Sequence, residues 1–276
     1  IKQATEWCKK YATVPVIVKL TPNITDVIYP AEACLEGGAD AVSLINTINS
    51  IMRVDYDSLT MFPTTGGMGT HGGYCGEAVK PIALNMVAEI ARNEKTKNLP
   101  ISGIGGVTTW KDAVDFLALG ASNVQVCTAA MVYGFKIVED MKTGLSNFLD
   151  EKGMNSVDEL IGKAVPSVTD WKFLNLNHVD KAVIDQEKCI KCGRCHIVCE
   201  DTSHQAINYS NDEGNRVFTV DDTECVGCNL CVSVCPIVDC ITMVAMESGT
   251  DPRTGKVITS EPADWTTHEN NPLKVS

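Results

Sequence analysis

Residues 189–199 read "CIKCGRCHIVC", four thiols within eleven positions, and residues 225–235 repeat the pattern as "CVGCNLCVSVC". Both runs separate their cysteines by two, two and three residues, and the longer copies "DQEKCIKCGRC" and "DDTECVGCNLC" begin 36 residues apart, at Asp185 and Asp221. Between them "AINYSNDEGNRVFTV" has the pattern of a β-hairpin. Of thirteen cysteines, four lie singly in the first half of the chain and nine crowd between positions 189 and 240. This distribution fits metal ligation in a reducing compartment, the cytoplasm, better than a disulfide scaffold. Structural zinc sites present short ligand pairs split by a longer loop, which is a different pattern.

The spacing resembles that of bacterial ferredoxins, in which three thiolates of one run and the fourth of the other hold each 4Fe–4S cluster. The resemblance implies one cluster on Cys189, Cys192, Cys195 and Cys235 and a second on Cys225, Cys228, Cys231 and Cys199, within a ferredoxin-like α+β domain over 182–247. The second run ends in Cys235-Pro236, whereas the first has Glu200 after its last cysteine, a departure that touches the turn but no ligand. His196 and His204 are not needed for ligation and read as packing or solvated side chains. Cys8, Cys34, Cys75, Cys127 and Cys240 read as free thiols, for which burial is the ordinary explanation. So small a domain has little apolar material, so the clusters should hold much of its fold together. Beyond it, 248–276 reads as a loosely packed tail or a subunit-contact arm.

Toward the amino terminus the pattern changes to alternating strand-like and helix-like stretches. "VPVIVKL" (14–20) precedes helix-like "TDVIYPAEACLEGG". "ADAVSLIN", "LPISGIGG" and "ASNVQVCTA" follow as further strands, with helices near 77, near 108 and over 131–149. The strand-like runs are apolar with little alternation, as in strands buried on both faces of a parallel sheet. Four βα units in about 150 residues predict the C-terminal half of a (β/α)8 TIM-type barrel over 1–163, joined by a linker, 164–181, to the cysteine-rich domain. Such barrels place chemistry at the carboxyl ends of their strands. Those ends carry Lys19 with Thr21 and Asn23, Asn46 with Thr47, Gly105 with Gly106, and Cys127 with Thr128. "GIGG" and "CTAA" stand where backbone N–H groups would meet a phosphate. Lys19 reads as a buried ammonium able to stabilise negative charge on a cofactor. Asn46 offers a donor and an acceptor to an imide or amide edge. Six glycines between positions 66 and 76 form a loop able to approach a ligand closely or to move. His71 and Cys75 within it have no placed partner and carry no assignment.

The chain has 276 residues and a formal charge of −12, a balance that argues against nucleic acid as a partner because phosphate binding rests on clustered Lys and Arg. Its apolar stretches fall short of the roughly twenty residues a bilayer crossing needs, so no membrane partner is expected. It opens at Ile1 in the helix-like "IKQATEWCKKYA" and reads as the middle of a longer protein.

Clusters carry one electron at a time, metabolite reductions move two, and a flavin converts between them. Flavin mononucleotide also has the phosphate that the strand-end glycines suit. "VIVKLTPN", "LINTINS", "GGYCGEAVKPIALNMV", "ISGIGGV", "NVQVCTA" and the paired cysteine runs, in this order, resemble the dihydropyrimidine dehydrogenases, most closely the FMN- and cluster-bearing subunit of the bacterial NAD-dependent type. The resemblance implies reversible reduction of the C5–C6 double bond of uracil or thymine, with hydride exchanged between flavin N5 and ring C6 and an acid protonating C5. It implies that Lys19, Gly73, Gly105, Gly106, Cys127 and Thr128 border FMN and that Asn46 and Thr47 bind the pyrimidine. Electrons would come from NAD(H) through a partner subunit carrying FAD, and a dimeric core within a hetero-oligomer is expected. The family's acid, a cysteine, belongs to the first half of the barrel, so none is named in this chain. A dihydroorotate dehydrogenase-like flavoenzyme with a fused ferredoxin, or a pure electron carrier, are the other readings.

Overall fold

The computed structural model describes residues 1–174, 178–212, 214–246 and 248–258. The chain divides into two compact units, Ile1–Val168 and a second that begins at Thr169.

The first unit runs α1 (Lys2–Tyr11), β1 (Ile17–Lys19), α2 (Ile28–Glu36), β2 (Ala41–Leu44), and then an excursion containing β3 (Ile48–Ser50), β4 (Arg53–Val54), β5 (Met61–Phe62) and β6 (Gly72–Tyr74). It continues through α3 (Lys80–Arg92), β7 (Ile101–Ile104), α4 (Trp110–Ala118), β8 (Asn123–Gln125), α5 (Thr128–Tyr133) and α6 (Ile137–Glu151). Strands β1, β2, β7 and β8 form one parallel sheet in that order, with Lys19 opposite Ser43, Ser43 opposite Ser102 and Ser102 opposite Asn123. A parallel sheet needs crossover helices, and each strand here is followed by one. Val42, Leu44 and Ile101 point from the sheet into a core shared with Ala31 and Cys34 of α2, Val87 and Ile90 of α3, and Phe116 of α4. α4 starts on a capping box in which Thr109 Oγ1 accepts from the Asp112 N–H while the Asp112 carboxylate accepts from the Thr109 N–H.

Two local expectations change. The single helix expected over 131–149 is two, because Gly134 takes φ +80° and ends α5. The glycine-rich excursion contains antiparallel ladders, β3 with β6 and β4 with β5.

The second unit is α+β. β9 (Asp180–Ile184) pairs with β12 (Ile241–Ala245), and β10 (Ile207–Asp212) forms the expected hairpin with β11 (Asn215–Val220). α7 (Arg194–Thr202) and α8 (Leu230–Val234) each start inside a cysteine run. α7 passes through Glu200, whereas α8 stops before Pro236, which cannot continue a helix. β9 opens at Asp180, inside the stretch read as linker, and short 3₁₀ turns occupy Val165–Ser167 and Trp171–Phe173. Part of the tail is ordered: β13 (Gly249–Thr250) and β14 (Val257–Ile258) form a hairpin in which Asp251 and Ile258 are buried. Residues 259–276 lie outside the described residues.

Candidate functional site

At the carboxyl end of the parallel sheet lies a cavity of about 410 Å³, a size suited to a small cofactor. Every strand of the sheet contributes to it. Lys19 closes β1, Asn46 and Thr47 follow β2, Gly105 and Gly106 follow β7, and Cys127 with Thr128 joins β8 to α5. Seven of the eight residues singled out for flavin or pyrimidine therefore share one wall. Gly73 is not part of that wall; it packs against Thr47, whose side chain an added Cβ would meet.

Lys19 is exposed, not buried, because β1 is the outermost strand of the sheet. Its ammonium has no carboxylate partner among the described residues, so a structural ion pair does not account for it. Asn46 Oδ1 accepts from the Thr47 N–H at 2.8 Å, which fixes the side chain and leaves its amide N–H groups as donors. Thr47 is braced from below: Asn23 Nδ2 donates to Thr47 O at 3.1 Å while Asn23 Oδ1 accepts from the Asn49 N–H at 2.9 Å.

Gly106 takes φ +75°, and a Cβ there would meet Gly76 O at 2.8 Å and Lys80 Cβ at 2.9 Å. The two glycine loops are thus packed backbone to backbone. Lys80 holds them, its Nζ lying 2.5 Å from Asp112 Oδ1 and 3.1 Å from Asp115 Oδ2. Burial alone would raise the Asp112 pKa, but hydrogen bonds from Lys80, Thr109 and Thr108 outweigh it and hold the carboxyl below its usual range.

Sequence reasoning missed Gln125 and left Cys75 unassigned; both line the cavity. Gln125 Nε2 donates to Ser43 Oγ and Ser102 Oγ, each at 2.8 Å, making a polar row across β2, β7 and β8. The signal was a serine in each of the apolar strands β2 and β7 beside the polar residues of β8. Cys75 Sγ accepts from Thr128 Oγ1 at 3.4 Å, and His71 is exposed outside the wall. Cys8, Cys75 and Cys127 are exposed, so of the four early cysteines only Cys34 is a buried free thiol.

In the second unit the two cysteine runs interleave. One cavity is lined by Cys189, Cys192, Cys195 and Cys235, and another by Cys199, Cys225, Cys228 and Cys231. Each run makes the same turns: residues 191 and 193 have left-handed φ in the first, 227 and 229 in the second. The Cys189 N–H donates to Asp185 O at 3.0 Å and the Cys225 N–H to Asp221 O at 2.9 Å, the same bond one repeat apart. Among the described residues no three His, Cys, Asp or Glu side chains converge as closely as one ion requires; a zinc ion draws its sulfurs to about 2.3 Å. Burial pushes the Cys195 thiol up to about 11 and raises Cys231 too, so a metal that takes them as thiolates must displace protons. Cys240 joins the first of these cavities, and burial, with Cys235 and Cys189 nearby, pushes its thiol up to about 12. His196 is a packing residue, its Nδ1 2.6 Å from Ile207 O and its ring against Tyr209 and Phe218.

A parallel βα unit with a glycine-walled cavity at its strand ends, followed in one chain by two thiol-lined cavities, has the make-up of a flavin and iron–sulfur oxidoreductase. Residues 1–149 match the family model described as dihydroorotate dehydrogenase, and residues 182–243 match the 4Fe-4S dicluster domain. The chain belongs to the dihydroorotate dehydrogenase family. It is 42% identical over 235 residues to the NAD-dependent dihydropyrimidine dehydrogenase subunit PreA of Escherichia coli (strain K12), an alignment covering 85% of this chain and 56% of that protein. It is 38% identical over 190 residues to the chloroplastic dihydropyrimidine dehydrogenase (NADP(+)) of Arabidopsis thaliana, covering 68% and 44%. Against the dihydroorotate dehydrogenase B (NAD(+)) catalytic subunit of Thermococcus kodakarensis the figures are 43% over 151 residues, 55% and 47%. The chain thus spans about half the length of the curated relatives it matches. No helix among the described residues is long and apolar enough to cross a membrane.

Proposed function

We propose that this chain is the FMN- and cluster-bearing part of an NAD-dependent dihydropyrimidine dehydrogenase, an oxidoreductase acting on the C5–C6 bond of uracil or thymine and their 5,6-dihydro forms. Its first unit is the C-terminal half of a (β/α)8 barrel. The observation that carries the reading is the combination, in one chain, of the strand-end cavity with two crossed sets of four thiols. The similarity to dihydropyrimidine dehydrogenases extends into the cysteine-rich unit, covering 85% of the chain for the bacterial subunit and 68% for the plant enzyme, whereas that to the dihydroorotate enzyme covers 55%.

The cavity fits FMN in volume and in its donors. Gly105, Gly106, Cys127 and Thr128 border the flavin and its phosphate, with Gly73 packed against Thr47. Lys19, without a carboxylate partner among the described residues, places positive charge where a reduced flavin is negative. Asn46 and Thr47 hold the polar edge of the pyrimidine, with Asn46 donating. Bound FMN supplies the exchange between one- and two-electron chemistry. Cys189, Cys192, Cys195 and Cys235 hold one 4Fe–4S cluster and Cys225, Cys228, Cys231 and Cys199 the other. A partner subunit carries FAD and meets NAD(H), and the core is dimeric.

The test is anaerobic expression of the full-length protein with its partner subunit, analysis of iron, sulfide and FMN, and an assay of NADH oxidation. About eight irons, expected as four at each of two sites, together with bound FMN and uracil-dependent formation of dihydrouracil, support the reading. Turnover of orotate but not uracil would replace it with the dihydroorotate reaction. Clusters without bound FMN would leave an electron carrier.

A further inference from the structure

Lys181, on β9, is a charged side chain buried in the second unit, 8% exposed. Its Nζ donates to Cys225 O at 2.6 Å and to Asp222 O at 2.8 Å, and it pairs with Asp251 Oδ1 at 3.1 Å. An ammonium has three donors, and three acceptors are present. Asp251, 6% exposed, comes from the β13–β14 hairpin, where its carboxylate also accepts from the Arg253 N–H and from Thr254 Oγ1. The loop that opens the second cysteine run therefore rests on a buried ion pair. A second contact brings the same loop and strand together: Gly227, at φ +73°, would place a Cβ 2.6 Å from Asp180 O.

The duplication shows how one-sided this arrangement is. Shifted by the repeat of 36, Lys181 corresponds to Val217, Asp180 to Arg216 and Cys225 to Cys189. The pairing of strand with loop is kept in the two halves, since Arg216 Nη1 donates to Lys191 O at 3.5 Å and Asp180 O lies against Gly227, the same two positions one repeat apart. The charge does not agree. The first run has a half-buried valine where the second has an ammonium and its carboxylate. Stability does not explain the difference, because a buried ion pair can often be replaced by well-packed apolar groups without loss. A fixed charge in a low-dielectric interior does act on any nearby group whose own charge changes.

We propose that the Lys181–Asp251 pair sets the reduction potential of the group held by Cys199, Cys225, Cys228 and Cys231, making it different from its counterpart; this rests on the reading of two 4Fe–4S sites. A cluster that accepts one electron becomes more negative by one charge. Lys181 favours that state and Asp251 opposes it, so the pair is a balance that either residue can tip. Lys181 acts through the loop bearing Cys225, as a positioning and charge-setting residue.

The experiment is an anaerobic dithionite titration of the full-length protein in complex with its partner subunit, followed by electron paramagnetic resonance, for wild type, Lys181→Gln, Asp251→Asn and the double variant. Lys181→Gln should lower one of two midpoint potentials and Asp251→Asn should raise the same one. Each should change the reduced-to-oxidised ratio at fixed potential about tenfold, or about 59 mV for one electron. The other midpoint should stay in place, and the double variant should return toward wild type. A purely structural role cannot move one potential in opposite directions. Shifts of the same sign, or no shift in either variant with both clusters loaded, would overturn this inference and leave the cluster reading standing. Wild-type protein without cluster signals would overturn both. If Lys181→Gln fails to load its clusters, Asp251→Asn decides alone: a rise supports the proposal, and an unchanged or lowered potential defeats it.

Discussion

The core of the first unit is assembled from Val42, Leu44, Val87, Ile101, Phe116 and their neighbours, with Cys34 its one buried cysteine. Among the described residues of the second unit, five of the ten buried side chains at the core are cysteines, beside Ile207, Phe218, Ile241 and two alanines. Apolar burial at about 25 cal/mol per Å² can hold the first together without any ligand. The second fills its centre with groups that have little area to bury and whose affinity is for metal. One chain therefore contains a unit whose core is built without ligand groups and a unit whose folding and loading are coupled.

The largest effect that would break this comparison is loss of the metal. Chelation under reducing conditions should unfold the second unit while the first keeps its helices, seen as partial loss of circular dichroism and proteolysis confined to the region beyond residue 169. A cysteine-rich unit that stays protease-resistant without iron would show that the contrast is wrong. Next, Phe116→Ala should cost the first unit about 3–5 kcal/mol in urea unfolding, because Phe116 is fully buried against the sheet. Iron content should not change; if it falls in parallel, the two units do not fold independently.

A smaller effect sharpens the role of the cavity. Gly106→Ala should weaken FMN binding about tenfold, or about 1.4 kcal/mol, since its left-handed backbone and the 2.8 Å approach to Gly76 O leave no room for a methyl group. Flavin fluorescence titration measures this, and unchanged affinity would remove the loop from the cofactor site. The smallest effect is expected from Asp112→Asn, about 1 kcal/mol of first-unit stability through the bonds to Lys80 and the α4 cap. Because the folded pKa of Asp112 is depressed, its contribution is fully present above the ordinary carboxylate value and is lost as pH falls through the folded value. The wild-type and variant stability profiles should therefore converge in acid; parallel profiles would refute the assignment.

Legibility follows the same division. The cysteine runs were readable because metal ligation demands a residue type at a fixed spacing; the two cavities bring together the crossed sets that the resemblance to bacterial ferredoxins implies, with Cys240 added to the first. The βα units were readable as continuous apolar runs, and β1, β2, β7 and β8 all fall within the stretches so identified, but only the central strands β2 and β7 are buried as expected; β1 and β8 form the edges of the sheet. Single glycines were harder. Gly105 and Gly106 declared a turn, but Gly134, within an otherwise helical stretch, was passed over and split the expected helix in two. Gln125 and Asn23 act through partners 82 and 24 residues away, Ser43 and Thr47, so no local pattern could reveal what they brace.

The tail was the least legible. Its turn formers and charges suggested loose packing, yet Asp251 lies buried on Lys181, 70 positions earlier in the chain. Neither residue declares the other.

The sequence by itself determined which atoms are present in order: eight thiols at ligand spacing, four apolar strands ending in polar or glycine residues, and the 36-residue duplication that relates the cysteine runs. Only the tertiary structure decided which of those ends meet in one cavity, that Lys19 stands exposed without a carboxylate partner among the described residues, and that one cysteine run rests on a buried charge at a position where the repeat has valine. The physical reason is range. Ligand spacing and strand patterning are set by neighbours along the chain, whereas cavities, braces and buried ion pairs depend on distances in space that folding alone fixes.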